Sequence, residues 1–147
     1  MLENNEPLRK AFQDAASYLS GKDITLQFRR PAAKPGVWTR GEFYYDAGKF
    51  YIDIDPDLTP MQAYVTALHE IAHAKRHAHM AEKVMPRSVQ AVQNVERVNT
   101  PTFERQADSL AERWFTWARY YADVKPIQPE VVKAILSMKS LLSYKEN

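Results

Sequence analysis

The sequence predicts an α+β domain in which a small sheet separates an N-terminal helix from a run of further helices. Three observations predict it. Apolar residues recur at helical spacing over Pro7–Leu19 and again from Pro60 onward. Strict alternation is confined to Asp23–Ile54 between them. Strands and helices do not take turns along the chain, as a parallel α/β sheet would require. With 147 residues, 45% of them hydrophobic and 26% charged, the chain reads as a single globular domain, 1–147.

In the first helix Leu8, Ala11, Phe12, Ala15, Ala16 and Leu19 form the inner stripe, and Gly21 comes next as its stop. Ile24, Leu26 and Phe28 then alternate with polar neighbours, the pattern of a half-buried strand. Pro31, Pro35 and Gly36 mark a loop. Two more strands are expected at Glu42–Tyr45 and Lys49–Ile54 around a turn at Asp46-Ala47-Gly48. In the second, Phe50, Ile52 and Ile54 face one way and Tyr51, Asp53 and Asp55 the other. The expected pairing is a small antiparallel sheet.

Thr59-Pro60-Met61-Gln62 is a strong helix start, with Thr as N-cap, Pro at the first position and Gln completing a capping box. That helix should run to about His77 or beyond, burying Tyr64, Leu68, Ile71 and Ala72. Pro86 interrupts the chain after that helix, and Ser88–Val98 has irregular helical spacing. Thr100 or Thr102 caps a helix reaching about Ala122, with Phe103, Ala107, Leu110, Ala111, Trp114, Ala118 and Tyr121 on one face. Pro126 and Pro129 precede a last amphipathic helix, Glu130–Ser143.

Composition narrows the chemistry. The chain has no cysteine, which excludes disulfides, iron–sulfur sites, a thiol nucleophile and thiolate-bound zinc. A net charge of +2 with dispersed basic residues offers no footprint for nucleic acid. There is no basic-then-apolar leader at the N-terminus and no apolar run near the roughly 20 residues of a membrane helix, so the expected address is cytoplasmic.

The informative segment is His69-Glu70-Ile71-Ala72-His73. Two histidines at i and i+4 share one helix face and can reach one metal ion. Glu70, rotated to the side, can act as general base on the metal's water. Chance gives this pattern in about 1% of sequences of such composition. Zinc then needs a third protein ligand and an open position for water. His77 continues a straight row that spans too far to converge on one ion. His79 stands where metzincins place a third histidine, but Arg76 occupies the position of the glycine that would bend the helix back. Glu96 lies in the irregular stretch without a second acid as partner. In Glu104-Arg105-Gln106-Ala107-Asp108 two carboxylates share one helix face, so Glu104 is expected to bind zinc and Asp108 to accept the N–H of a ligating histidine. Trp114, Phe115, Trp117, Tyr120 and Tyr121 read as packing surface, and His77 and His79 beside Lys75 and Arg76 as a solvated face. Asp53-Ile54-Asp55-Pro56-Asp57 reads as a turn, because the glycine and final Glu of a calcium loop are missing.

His69-Glu70-Ile71-Ala72-His73 followed by Phe103-Glu104-Arg105-Gln106-Ala107-Asp108-Ser109-Leu110-Ala111 resembles the ImmA/IrrE family of zinc metallopeptidases. HExxH with a downstream Glu-x-x-x-Asp is similar, more broadly, to the gluzincin pattern. The resemblance covers about Phe50–Trp114, under half the chain. It implies a zincin-like fold, zinc on His69, His73 and Glu104, catalysis by Glu70, and a selective protein or peptide substrate such as a transcriptional repressor. It also implies that Lys49–Ile54 offers an edge to the extended substrate. Two departures stand out: Ala74–His79 is more basic than the family's apolar continuation, and no helix-turn-helix module accompanies the domain. The competing expectations are a zinc-binding regulatory module without hydrolysis and a metzincin-like peptidase using His79.

Overall fold

A computed structural model describes residues 2–31, 39–82, 101–119 and 129–142. Helix α1 (Glu6–Ser20) leads into strand β1 (Ile24–Phe28), the hairpin β2 (Gly41–Asp46) and β3 (Lys49–Ile54), and then helices α2 (Pro60–Glu82), α3 (Pro101–Arg119) and α4 (Pro129–Ser140). This is the α+β order expected. The reading of Ser88–Val98, with Glu96, lies outside the described residues, as do Tyr120, Tyr121 and the Trp117 side chain.

The local signals explain where the elements begin and end. Asn5 caps α1 by accepting the Leu8 N–H at 3.2 Å, and Gly21, at φ 70°, ends it in the left-handed conformation that suits glycine. At α2 the capping box closes in both directions: Gln62 N–H reaches Thr59 Oγ1 at 3.2 Å, and Thr59 N–H reaches Gln62 Oε1 at 3.0 Å. Prolines at the first turn of α2, α3 and α4 have no N–H to leave unpaired, so Pro129 opens the last helix instead of standing before it.

The sheet corrects one expectation. Its order is β1-β3-β2, with β3 antiparallel to β2 but parallel to β1, so the sheet is mixed. Alternation reports which face a residue occupies and says nothing of strand direction. The same order corrects a second expectation: β3 is central and paired on both sides, so Lys49–Ile54 has no edge to offer. The outer edge of β1 is closed by α1: Gln13 Oε1 accepts the Leu26 N–H at 2.7 Å, its amide nitrogen donates to the Ile24 carbonyl, and Arg9 donates to the Leu26 carbonyl at 3.3 Å. The remaining edge, that of β2, runs beside α2.

One face of the sheet packs against α1 and α2. Ile24, Leu26, Phe43, Ile52 and Ile54 meet Leu8, Phe12 and Leu19 from α1 and Tyr64, Leu68 and Ile71 from α2. Ala63, Ala67, Ala74 and Ala78 are buried along α2, and such small side chains let neighbouring elements come close. On the opposite face the Tyr44 hydroxyl donates to Asp53 Oδ2 at 2.9 Å and stacks on Tyr51 at 5.3 Å. Burial pushes the Asp53 carboxyl up to about 6, against the opposing influence of Tyr44 and Arg29. Asp55 Oδ1 accepts the Asp57 N–H at 2.9 Å, the turn expected there. No described helix is long and apolar enough to cross a membrane.

Candidate metal centre

The site lies where α2, α3 and the edge of β2 meet. The i, i+4 spacing of α2 sets His69 and His73 edge to face with ring centroids 4.7 Å apart, and the first turn of α3 brings Glu104 against both. Glu104 Oε2 is 2.9 Å from His69 Nε2, and Glu104 Oε1 is 3.0 Å from His73 Nε2. The two Nε2 atoms face each other at 3.1 Å. These three residues form a group that can hold a metal ion, their donor atoms lying within 4.8 Å of one another.

The charges fit that purpose. Three groups aim lone pairs at one point, which is unfavourable unless a cation sits among them. In the metal-free chain the cation is a proton. Burial disfavours charge on His69, but the Glu104 hydrogen bond, with Glu70, Glu104 and Asp108 as nearby charges, raises it to about 9. Burial works against charge on Glu104 too, yet its hydrogen bonds to His69 and His73 hold it at about 2. One turn on, Asp108 Oδ1 lies 2.7 Å from His69 Nδ1, so α3 engages both nitrogens of that ring.

Glu70 is 4% exposed and Oε1 is 3.9 Å from His69 Nε2, beside the donor group. The Phe43 N–H donates to its carboxylate. The hairpin geometry explains why that N–H is available. Ala47 and Gly48 have φ of 50° and 82°, a two-residue turn closed by the pair Asp46 and Lys49. Counting back from a bonded closing pair, alternate residues bond to β3, and Gly41, Phe43 and Tyr45 turn their polar backbone groups outward. Among the described residues the buried Glu70 Oε2 has no hydrogen-bond partner, and burial pushes the carboxyl upward in spite of His73 and His69.

No family model, curated protein or solved structure matches the chain. The reading of the site therefore rests on its own geometry. An open cleft of about 790 Å³ runs past His69, Glu70 and Glu104, with Thr39 and Gly41 on one side and Val65, Ala111 and Phe115 as apolar wall. Phe115 packs against Tyr64 at 6.0 Å and Trp114 is buried, the packing role expected for both.

Of the two histidines expected on a solvated face, His77 is buried and His79 is exposed. His77 is 1% exposed, and is bonded to His73 and Gln106 instead of facing solvent. Burial pushes its pKa down against the Gln106 hydrogen bond, so the ring stays neutral. His79 is exposed on α2, which runs unbroken to Glu82, and it is outside the donor group.

Sequence reasoning overlooked Gly41, which marks the closest approach of β2 to α2. A Cβ there would stand 2.6 Å from Thr66 Cγ2, 3.2 Å from the Asp53 carbonyl and 3.2 Å from Glu70 Cγ. Gly41→Ala is therefore expected to cost about 1–3 kcal/mol in denaturant melts, the range for overpacking. It should also displace Glu70 while leaving metal affinity unchanged by competition titration.

Proposed function

We propose that the chain is a zinc-dependent metallopeptidase of the ImmA/IrrE type, cleaving peptide bonds in a selective protein substrate. The observation that carries the proposal is the convergence of His69, His73 and Glu104 beside a buried carboxylate oxygen of Glu70 that has no hydrogen-bond partner among the described residues. Two imidazoles and a carboxylate are a catalytic zinc donor set. Zinc–nitrogen bonds near 2.0–2.1 Å in a tetrahedron put ligand atoms roughly 3.3 Å apart. The contacts of 2.9, 3.0 and 3.1 Å are close to that spacing.

Bound zinc supplies Lewis acidity and lowers the pKa of water toward neutrality. The chain's residues do the rest. Glu70, held by the Phe43 N–H, takes the proton of the attacking water at Oε2 and passes it to the leaving amine. Asp108 keeps His69 protonated at Nδ1, which frees Nε2 for the metal. The substrate backbone pairs with the outward groups at the Gly41 end of β2, not with β3, and apolar side chains enter the cleft against Val65, Ala111 and Phe115.

Protein purified without chelator should hold one zinc per chain by metal analysis. Failure to bind zinc or any other divalent ion after adding it back would sink the proposal. Metal binding must displace the His69 proton. Apparent affinity should therefore rise about tenfold per pH unit toward pH 9 and level off above it, in competition titrations. The metal-free protein behaves in the opposite sense. The charged His69 contributes stability that is complete below 6.5 and lost as pH rises through about 9. Melts at pH 6 and pH 9, with and without zinc, should show the benefit of zinc growing as the pH rises.

A further inference from the structure

The catalytic reading leaves the buried, titratable His77 of α2 without a role. His77 sits one turn past His73, and its Nδ1 lies 3.0 Å from His73 Nδ1. Its Nε2 lies 2.7 Å from Gln106 Oε1, and its ring packs on Phe103 at 4.3 Å. Gln106 stands between Glu104 and Asp108 in sequence, so five residues of α3 supply a polar partner to each member of the histidine row.

With Gln106 Oε1 facing a neutral His77, valence sets the direction of this chain of hydrogen bonds. An amide oxygen only accepts, so His77 Nε2 carries a hydrogen. A neutral imidazole carries one hydrogen, so His77 Nδ1 accepts. His73 Nδ1 must then donate, and a metal ion that takes the place of the hydrogen between His73 Nε2 and Glu104 meets the Nε2 lone pair. With the amide turned round, every step reverses: His77 Nε2 accepts, His77 Nδ1 donates, and His73 Nε2 carries the hydrogen and cannot ligate. The polarity of one amide thus favours or disfavours His73 as a metal ligand.

We propose that Gln106 and His77 are positioning residues for the metal centre: the Gln106–His77–His73 relay holds His73 in the Nδ1–H form with Nε2 free. It is the uncharged counterpart of Asp108 on His69. The inference rests on the reading of His69, His73 and Glu104 as metal ligands. Its roles are those of outer partners, which fix tautomer and ring orientation and are worth roughly 10–100-fold in metal affinity.

The test uses the full chain with Gln106→Met, which keeps length and removes the acceptor, Gln106→Glu, which keeps an acceptor oxygen, and His77→Phe. Zinc affinity is read by competition with a chromophoric chelator, and ligand geometry by the visible spectrum of the cobalt-substituted protein. Gln106→Met should weaken zinc about 10–100-fold and alter the cobalt spectrum, while the melting of the metal-free protein stays at the wild-type value. Gln106→Glu should hold affinity to within a few-fold. In the His77→Phe background, Gln106→Met should add no further loss, because both act through one chain of bonds. Wild-type affinity in Gln106→Met, or an equal loss in Gln106→Glu, would overturn the relay while leaving the metal centre standing. Two zinc ions per wild-type chain, one of them lost in His77→Phe, would overturn it by making His77 a ligand. A wild-type protein that binds no zinc would overturn the relay together with the metal-centre reading.

Discussion

Glu70→Gln should keep one zinc per chain and lose roughly 10²–10⁴-fold in turnover, the usual worth of a positioned general base. The substitution separates the two functions because Glu70 stands outside the donor group, with Oε1 3.9 Å from His69 Nε2. The amide oxygen can still accept the Phe43 N–H, so the side chain keeps its place, but the oxygen that takes the proton is gone. Burial of the carboxyl pushes its pKa upward, in spite of the His73 and His69 charges beside it. A generic protein substrate is a poor assay for a selective enzyme. The measurement is capture of a cellular partner on the inactive variant, followed by cleavage of that partner by wild-type protein. Equal cleavage by both forms would remove Glu70 from the mechanism. A captured partner that neither form cuts would favour the regulatory, non-hydrolytic module.

The parts of this site that can be read from the sequence are those set by spacing within one helix. The i, i+4 rule alone puts His69 beside His73 and Glu104 on the same side as Asp108. The caps at Gly21 and Thr59 are local chemistry and appear where the residue types place them. What the sequence conceals is decided between elements. Alternation gives a strand its faces but not its direction, so the parallel pairing of β1 with β3 was illegible, and with it the central place of β3. His77 was concealed differently. Lys75 and Arg76 beside it are exposed and suggest a solvated face, while helical phase places position 77 on the stripe of 69 and 73, against Phe103 and Gln106 of another helix. The signal was present in the spacing and was outweighed by composition. At Gly41 no local signal existed, since the glycine answers to the approach of Thr66 and Glu70 from α2.

Glu104→Ala should lower zinc affinity by more than the roughly 10–100-fold of any outer partner, while His79→Ala leaves it at the wild-type value. Glu104 contributes the only oxygen among the three donors and the only negative charge, and it touches both histidines at 2.9 and 3.0 Å. Its loss leaves two neutral nitrogens, which hold a divalent ion weakly and in no defined geometry. It also removes the hydrogen bond that raises His69, so in the metal-free variant His69 should titrate well below its present value of about 9. The carboxylate's position makes this a clean comparison. Glu104 is about one-third exposed in the first turn of α3, so its truncation opens no core cavity and the helix can remain folded. His79 is exposed farther along α2 and outside the group, and bringing it to the metal would require the helix to break after His73. Competition titrations on both variants, with circular dichroism as the check on folding, decide between the two third ligands. A loss of zinc in His79→Ala equal to that in Glu104→Ala would mean that α2 does break there, and would assign the centre to the metzincin arrangement.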